Sequence, residues 1–376
     1  MLDFLHKKMD ISELYITRCL ELAAHGRGQV APNPMVGAVL VAEGKIIGEG
    51  FHRCYGEAHA EANAIASVKD EAFVPRSTLY VNLEPCSHYG KTPPCAELII
   101  RKAIPRVVVA CLDPNPKVAG SGIQMLRDAG VEVVVGVMER EATALNRFFM
   151  TAHRRHRPYV ILKWAQSEDG FIDRQRTGGS EKPFKFSTFL TRMMVHRLRS
   201  EVQAIMVGVN TALMDNPSLT VRHWPGKSPV RVLVDRHLQV PEGSALYDGE
   251  QQTLVFTQQH TKEDEKKQIQ GKENVKYIKM NDSGYALNEV MSILCKNNLH
   301  SLLVEGGACL QQSFLDENVW DELIIEKAPV RLDNGICAAS LPASSDVHLV
   351  DRQYVYSSGL ADERPSVVER FINDSI

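Results

Sequence analysis

The sequence predicts an α/β protein built as two domains. Its 376 residues, at roughly 150 per domain, are enough for two. β-Branched runs alternate with helical patterns through the first half, which implies a layered α/β sheet. A second series of buried-looking strands starts only after a basic break at Arg147–Pro158, where Pro158 disfavours a helical conformation at the residue before it.

The elements of the first half follow in order. Ser12–His25 carries Leu14, Ile16, Leu20, Leu22 and Ala23 at helical spacing. Val36–Val41 and Lys45–Gly48 form a hairpin around Glu43-Gly44, a turn pair suited to positive φ. Ala60–Val68 is a helix, Ser77–Leu83 a strand, Cys95–Lys102 a helix, Arg106–Leu112 a strand, Ile123–Ala129 a helix and Val131–Gly136 a last strand. The second half opens on a strand at Tyr159–Trp164. It continues with a helix near Thr188–Arg199 and strands at Ala204–Gly208, Val230–Val234, Thr253–Thr257 and Ser301–Glu305. Residues 259–283 are polar and lysine-rich and read as a solvated helix and loop.

Composition excludes several classes of function. There are 43 Lys and Arg against 46 Asp and Glu, a net charge of -3, without the basic excess of proteins whose main partner is nucleic acid. A local basic patch around a phosphate remains compatible with this. The longest apolar runs, such as Val107–Leu112 and Val133–Met138, are far shorter than the ~18–20 residues of a bilayer helix. No membrane partner is therefore expected. The start, MLDFLHKKMD, has no apolar signal core, and Met9 is a candidate natural start. Eight cysteines in 376 residues are too few for a disulfide scaffold. A reducing, cytoplasmic setting is expected.

Two of those cysteines belong to a chemical constellation. His59-Ala60-Glu61 is followed by Glu84-Pro85-Cys86 and by Pro94-Cys95. One imidazole and two thiolates suit tetrahedral zinc, and three protein ligands leave a position for water, the mark of a catalytic site. Glu61, two residues after His59 and near a helix start, is placed to move protons. Zinc lowers the pKa of its water from 15.7 to about 7, and a carboxylate beside it can carry protons to a departing amine. The arrangement follows the H-x-E…P-C-x-x-C pattern of nucleobase deaminases, with one departure: the cysteines flank eight residues, Ser87–Pro94.

Longer stretches carry a resemblance. PNPMVGAVLV (32–41), HAEANAI (59–65), YVNLEPCSHYGKTPPC (80–95), DPNPKVAGSGI (113–123) and LNRFF (145–149) resemble the bifunctional deaminase–reductase family of riboflavin biosynthesis. The long gap between the cysteines is typical of that family. In the second half KWAQSEDG (163–170), HRLR (196–199), GVNTALMDN (208–216), PSLTVR (217–222), RVLVD (231–235), VEGG (304–307) and WDELIIEKAP (320–329) follow in the family's order. The resemblance spans about residues 10 to 335.

It implies a cytidine-deaminase-like three-layer α/β/α domain over 9–150 and a dihydrofolate-reductase-like α/β domain over 158–376. The implied cofactors are zinc and NADPH. The implied activity is zinc-dependent hydrolytic deamination of 2,5-diamino-6-(5-phosphoribosylamino)pyrimidin-4(3H)-one. Reduction of its ribosyl group would follow, giving 5-amino-6-(5-phosphoribitylamino)uracil. Members of the family are often dimers or tetramers, so a homo-oligomer is expected. Two other readings are a nucleic-acid base deaminase with an accessory domain, disfavoured by the charge, and a deaminase with a non-catalytic second domain.

The resemblance also assigns residues. His59, Cys86 and Cys95 are the zinc ligands and Glu61 the proton shuttle. Asn33, between Pro32 and Pro34, is a candidate pyrimidine contact, with a plain turn residue as the alternative. His52, His88, Lys91 and Thr92 flank the metal motif, where a Lys or His can hold a phosphate as a point charge. Lys163 is the candidate catalytic group of the reductase. Ala165, Thr211, Asp215, Gly306 and Gly307 are assigned to the cofactor. Ser167, Ser180, Leu219 and Glu305 are assigned to substrate, as are Arg199 and Arg222, whose guanidinium groups match phosphate oxygens in pairs. A G-x-G-x-x-G is missing after the first strand of the second half, so a Rossmann dinucleotide domain is not supported. Where the family has Trp-Ile, this chain has Glu181-Lys182-Pro183-Phe184-Lys185-Phe186, which leaves open whether Phe184 or Phe186 faces the cofactor ring.

Overall fold

The computed structural model describes residues 10–89, 93–115, 119–177, 181–259, 273–281, 287–356 and 364–375. Lys91, Thr92 and Ser180 lie outside them. The chain divides into two compact units after His156.

The first unit runs α1 (Ile11–Ala24), β1 (Gly37–Ala42), β2 (Lys45–Phe51), α2 (Ala60–Ala66), β3 (Thr78–Leu83), α3 (Cys95–Arg101), β4 (Arg106–Cys111), α4 (Ser121–Asp128), β5 (Glu132–Val135), α5 (Glu139–Leu145) and α6 (Arg147–Arg155). Its sheet has the order β2-β1-β3-β4-β5. β1 pairs antiparallel with β2 and β3, whereas β3, β4 and β5 are parallel. Successive strand side chains point to opposite faces, and the core divides accordingly. Leu40, Leu79, Val81, Val107 and Val109 pack with Ala64, Ile99 and Leu126 of α2, α3 and α4. Val39, Val41, Tyr80, Val108 and Ala110 pack with Ile16, Ala142 and Met150 of α1, α5 and α6. This is a helix–sheet–helix sandwich.

The expected linker from Arg147 is instead helix α6. The run of arginines conceals an amphipathic pattern that buries Met150 and Ala152. The helix ends where His156 turns left-handed at φ 54°, and the next unit starts at Arg157.

The second unit runs β6 (Tyr159–Gln166), β7 (Phe171–Asp173), α7 (Phe189–Glu201), β8 (Ala204–Gly208), α8 (Val209–Asp215), β9 (Val230–Val234), β10 (Thr253–Thr257), β11 (Val275–Lys279), α9 (Leu287–Lys296), β12 (Ser301–Val304), α10 (Ala308–Asp316), β13 (Glu322–Lys327), β14 (Ile336–Cys337), β15 (Val347–Val355) and β16 (Ser366–Asn373). The main sheet has the order β11-β10-β9-β8-β12-β6-β13-β16-β15. Its strands are parallel from β11 through β13, and β16 and β15 add antiparallel at one side. β11 corrects the expectation of a solvated helix and loop: Val275 is buried while β11 forms a parallel pair with β10. Beyond residue 335, β15 and β16 extend and edge this sheet, while β14 pairs antiparallel with β7 in a separate two-stranded sheet. A continuous core includes Trp164, Phe256, Leu302, Phe314, Trp320 and Leu323.

Candidate active site

Three elements deliver the soft ligands of the first unit. His59 caps α2, Cys86 lies just beyond β3, and Cys95 is the first residue of α3. α2 can lie this close to the sheet because β2 carries glycine where they meet. A Cβ on Gly50 would fall 2.5 Å from the Ala64 nitrogen, and one on Gly48 2.5 Å from its oxygen.

The ligand atoms of His59, Cys86 and Cys95 all lie within 4.8 Å of one another. His59 Nδ1 is 3.5 Å from Cys86 Sγ and 3.4 Å from Cys95 Sγ. Zinc bonds of ~2.3 Å to sulfur and ~2.0–2.1 Å to nitrogen set tetrahedral edges of about 3.6 Å, so these atoms stand at ligand spacing. The thiols also differ in acidity. The hydrogen bond from Cys95 holds the Cys86 thiol below its usual range, against its burial and with help from His59. The same bond, with burial, pushes the Cys95 thiol up. The Cys95 N–H donates to Cys86 Sγ at 3.3 Å. Two sulfurs beside an imidazole form a soft donor set that a soft dication would complete, displacing the thiol protons.

Glu61 sits in the first turn of α2 and is 3 % exposed. Burial, then the Cys86 charge, raises its carboxyl to about 7; a bound dication acts in the opposite sense. Glu84 anchors the ligand loop from behind. Its buried carboxylate accepts from the backbone N–H groups of Asp113 (3.2 Å), Gly120 (3.0 Å), Gly122 (2.9 Å) and Ile123 (3.4 Å). Gly122 is required there, because a Cβ would meet the Pro85 oxygen at 2.0 Å. The sequence motif at 113–123 thus holds the segment leading to Cys86.

His52 and Asn33 border the same centre. His52 Nδ1 faces the Ala58 carbonyl oxygen at 3.1 Å, so Nδ1 carries the proton and Nε2 accepts from Asn33 Nδ2 at 3.3 Å. With Nδ2 so committed, Asn33 offers its Oδ1 as an acceptor. The His52 ring lies 5.5 Å from that of His59, and burial lowers its pKa. His88 is exposed, close enough for its charge to act on Asp113, whose carboxyl burial pushes up.

The second unit holds a cavity of about 820 Å³ at the carboxyl ends of β6, β8, β9 and β12, the usual place for ligands in parallel sheets. Lys163 and Ala165 of β6 line it, as do Thr211 and Asp215 of α8. Gly306 and Gly307 line it too, and Gly307 caps α10. Lys163 Nζ lies 3.6 Å from Glu326 Oε2, which also accepts from Ser187 Oγ at 2.6 Å. Glu326 is 1 % exposed, and sequence reasoning missed it because its partners come from other elements. Asp215 is paired with Arg176 at 2.5 Å, a second residue that the sequence did not single out.

The expected phosphate clamps differ from one another. Arg199 is held by Glu305 in a two-point ion pair, Nε to Oε1 at 3.0 Å and Nη2 to Oε2 at 2.6 Å. Glu305, expected as a substrate contact, is therefore also the partner of Arg199. Arg222 Nη1 donates to Ser218 Oγ and Thr220 Oγ1. With Arg192 these arginines line one part of the cavity. Ser167 and Leu219 differ from these residues in their surroundings. Ser167 is fully buried and its Oγ accepts from the Phe171 N–H at 3.0 Å, closing the turn at Asp169-Gly170. Leu219 is 3 % exposed in a left-handed conformation, φ 52°. Neither lines the cavity. Phe184 and Phe186 both do, with ring centroids 4.8 Å apart. Phe186 is buried, and Phe184 has the Arg174 guanidinium over its ring at 4.8 Å.

His196 links this wall to its histidine neighbour. Its Nδ1 accepts from the Arg222 N–H at 3.0 Å, and its ring lies 4.8 Å from His223. Burial, then the Arg199 and Arg222 charges, lower its pKa from 6.5 to about 4. The unfolded chain therefore binds more protons than the folded one between those values, and stability falls as pH drops from about 6.5 to about 4. Glu305, also depressed, chiefly by Arg199 against its burial, loses its contribution at lower pH. A His196→Gln variant should show a shallower decline in melting temperature across that window; an unchanged slope would remove His196 as the cause.

A helix-flanked sheet carrying a His-Cys-Cys-Glu centre, joined to a parallel sheet with a basic ligand cavity, defines a zinc-type deaminase fused to a reductase. Residues 9–111 match the cytidine and deoxycytidylate deaminase zinc-binding region, and residues 158–335 the RibD C-terminal domain. The chain is 41% identical over 334 residues to riboflavin biosynthesis protein RibD of Aquifex aeolicus, covering 88% of this chain and 91% of that one. It is 35% identical over 345 residues to the Escherichia coli protein of that name, covering 86% and 90%. Among solved structures it is similar to a diaminohydroxyphosphoribosylaminopyrimidine deaminase/5-amino-6-(5-phosphoribosylamino)uracil reductase from Thermotoga maritima. There the TM-score is 0.82, with 33% identity over 96% of this chain and 99% of the other. Acinetobacter baumannii RibD gives a TM-score of 0.83 at 31% identity, covering 97% and 99%. The chain belongs to the RibD family of bifunctional riboflavin biosynthesis enzymes. Its amino-terminal fold is cytidine-deaminase-like and zinc-binding, and its carboxy-terminal fold is the family's NADPH-dependent, dihydrofolate-reductase-like domain. No described helix is long and apolar enough to cross a membrane.

Proposed function

We propose that residues 9–150 deaminate 2,5-diamino-6-(5-phosphoribosylamino)pyrimidin-4(3H)-one and that residues 158–376 reduce the ribosyl group of the product. The observation that supports this most is the ligand spacing of His59, Cys86 and Cys95 with Glu61 buried beside them. Zinc, when bound there, supplies a water acidified from ~15.7 to about 7. Asn33 Oδ1 accepts a hydrogen bond from the pyrimidine and orients it, with His52 fixing the Asn33 amide. Glu61 takes the proton of the attacking water and passes it to the ring nitrogen. It then moves the new hydroxyl proton to the amino group; the C–O bond forms, the C–N bond breaks and ammonia leaves.

In the second unit NADPH, when bound, supplies a hydride to the opened ribose carbon. Lys163, steadied by Glu326, delivers a proton to the oxygen released as the sugar ring opens. Ala165, Thr211 and Asp215 border the cofactor, and the backbone at Gly306 and Gly307 meets its phosphates at the start of α10. Arg192 and Arg222, backed by the Arg199–Glu305 pair, face the substrate phosphate.

The assembly is a homo-oligomer, supported by β15, an edge strand of nine residues that exposes Leu349, Val350 and Tyr354; such edges invite pairing. The setting is the cytoplasm, a reading supported by eight cysteines none of which forms a disulfide. The diamino substrate supplied with and without NADPH should release ammonia in both cases and oxidise NADPH in the first. Ammonia without NADPH oxidation would leave a deaminase with a non-catalytic second domain, and no ammonia would contradict the deaminase assignment.

A further inference from the structure

Asn33 stands in a loop that cannot hold itself as a strand. Pro32 and Pro34 lack N–H groups, so the backbone around Asn33 has few donors of its own. The loop is held by side chains instead. Asn146, 2 % exposed at the junction of α5 and α6, accepts from the Met35 N–H with Oδ1 at 2.8 Å and donates to the Met35 oxygen with Nδ2 at 2.9 Å. It thereby makes to one residue the pair of bonds that a neighbouring strand would make. Asn82, fully buried at the end of β3, donates to the same Met35 oxygen at 3.0 Å and accepts from the Gly37 N–H at 2.7 Å. The β1–β3 ladder ends at Ala38–Val81, and the Asn82 side chain extends it by one step.

The helices on either side release the Asn146 side chain for this task. Its N–H donates to the Ala142 oxygen and its carbonyl accepts from the Met150 N–H, so both backbone groups are used within the α5–α6 junction. The motif at 145–149 therefore has a specific effect at a distance: it places an amide against the peptide two residues beyond Asn33. From there the line continues through the Asn33–His52 contact to the His52 ring beside His59.

We infer that Asn146, assisted by Asn82, is a positioning residue for deamination, holding the Met35 peptide so that Asn33 meets the pyrimidine. This rests on the deaminase assignment above. Asn146 touches neither the metal ligands nor Glu61 among its recorded bonds, so its loss should affect substrate placement before it affects the metal.

The test uses the full-length zinc-loaded protein, ammonia release from the diaminopyrimidine nucleotide, and zinc per chain. Asn146→Ala should raise KM by about tenfold or more, since small misplacements of a bound reactant are costly. Zinc content should be unchanged and kcat should move much less than KM. Asn146→Asp keeps the acceptor for the Met35 N–H but sets a carboxylate oxygen against the Met35 oxygen; it should also raise KM with zinc unchanged, and it carries the test if the alanine variant does not fold. In an Asn33→Ala background, Asn146→Ala should add little further to KM, because coupled residues are non-additive. An unchanged KM in a folded Asn146 variant would overturn the inference, as would zinc loss or a full additional KM penalty without Asn33. A wild-type protein that releases no ammonia would instead overturn the deaminase assignment.

Discussion

Glu61→Gln is expected to keep its zinc and lose ammonia release by about 10²–10⁴-fold, the contribution of a positioned general acid–base group. The substitution preserves shape in a site where Glu61 is 3 % exposed, so the ligand atoms of His59, Cys86 and Cys95 should remain at their spacing. What is lost is the ability to exchange a proton, since an amide does not titrate in this range. Reductase turnover of the deaminated intermediate, which uses residues of the second unit, should be unaffected. Near-normal ammonia release would refute the proton-transfer role, and loss of zinc would show that Glu61 supports the metal instead.

Glu305→Ala should have the largest effect on the second unit. Glu305 and Arg199 are each 13 % exposed at the side chain and joined by two short bonds. Removing one partner of a buried pair strands the other charge, at a cost of about 3–5 kcal/mol; the cavity-facing position places this pair at the lower end of that range. The variant should melt earlier and lose NADPH oxidation while still releasing ammonia. Glu305→Gln, which keeps an acceptor facing Arg199, should lose less stability. Unchanged melting in Glu305→Ala would show that Arg199 does not depend on this carboxylate.

The cluster of His59, Cys86 and Cys95 was legible because the information is local and chemically narrow. His59, Cys86 and Cys95 lie in short motifs whose residue types admit few functions. The parallel strands Ala204–Gly208, Val230–Val234 and Thr253–Thr257 were legible to the residue, since strands buried on both faces read as continuous apolar runs. Other features were not local. Asn146 lies 111 positions from Met35, and Glu326 lies 139 from Ser187. Nothing in an isolated Asn or Glu announces a partner at that separation. α6 was obscured by arginines that occupy its solvent face, and β11 by the lysines around Val275. The sequence likewise did not show that Ser167 closes a turn or that Leu219 is buried at positive φ.

Zinc stoichiometry, determined by elemental analysis, tests the central claim most directly. The wild-type protein should carry about one zinc per chain, and Cys86→Ser should carry substantially less, because an alcohol is a poor replacement for a thiolate in a soft ligand set. A full equivalent of zinc retained by folded Cys86→Ser would contradict the assignment of the metal to His59, Cys86 and Cys95.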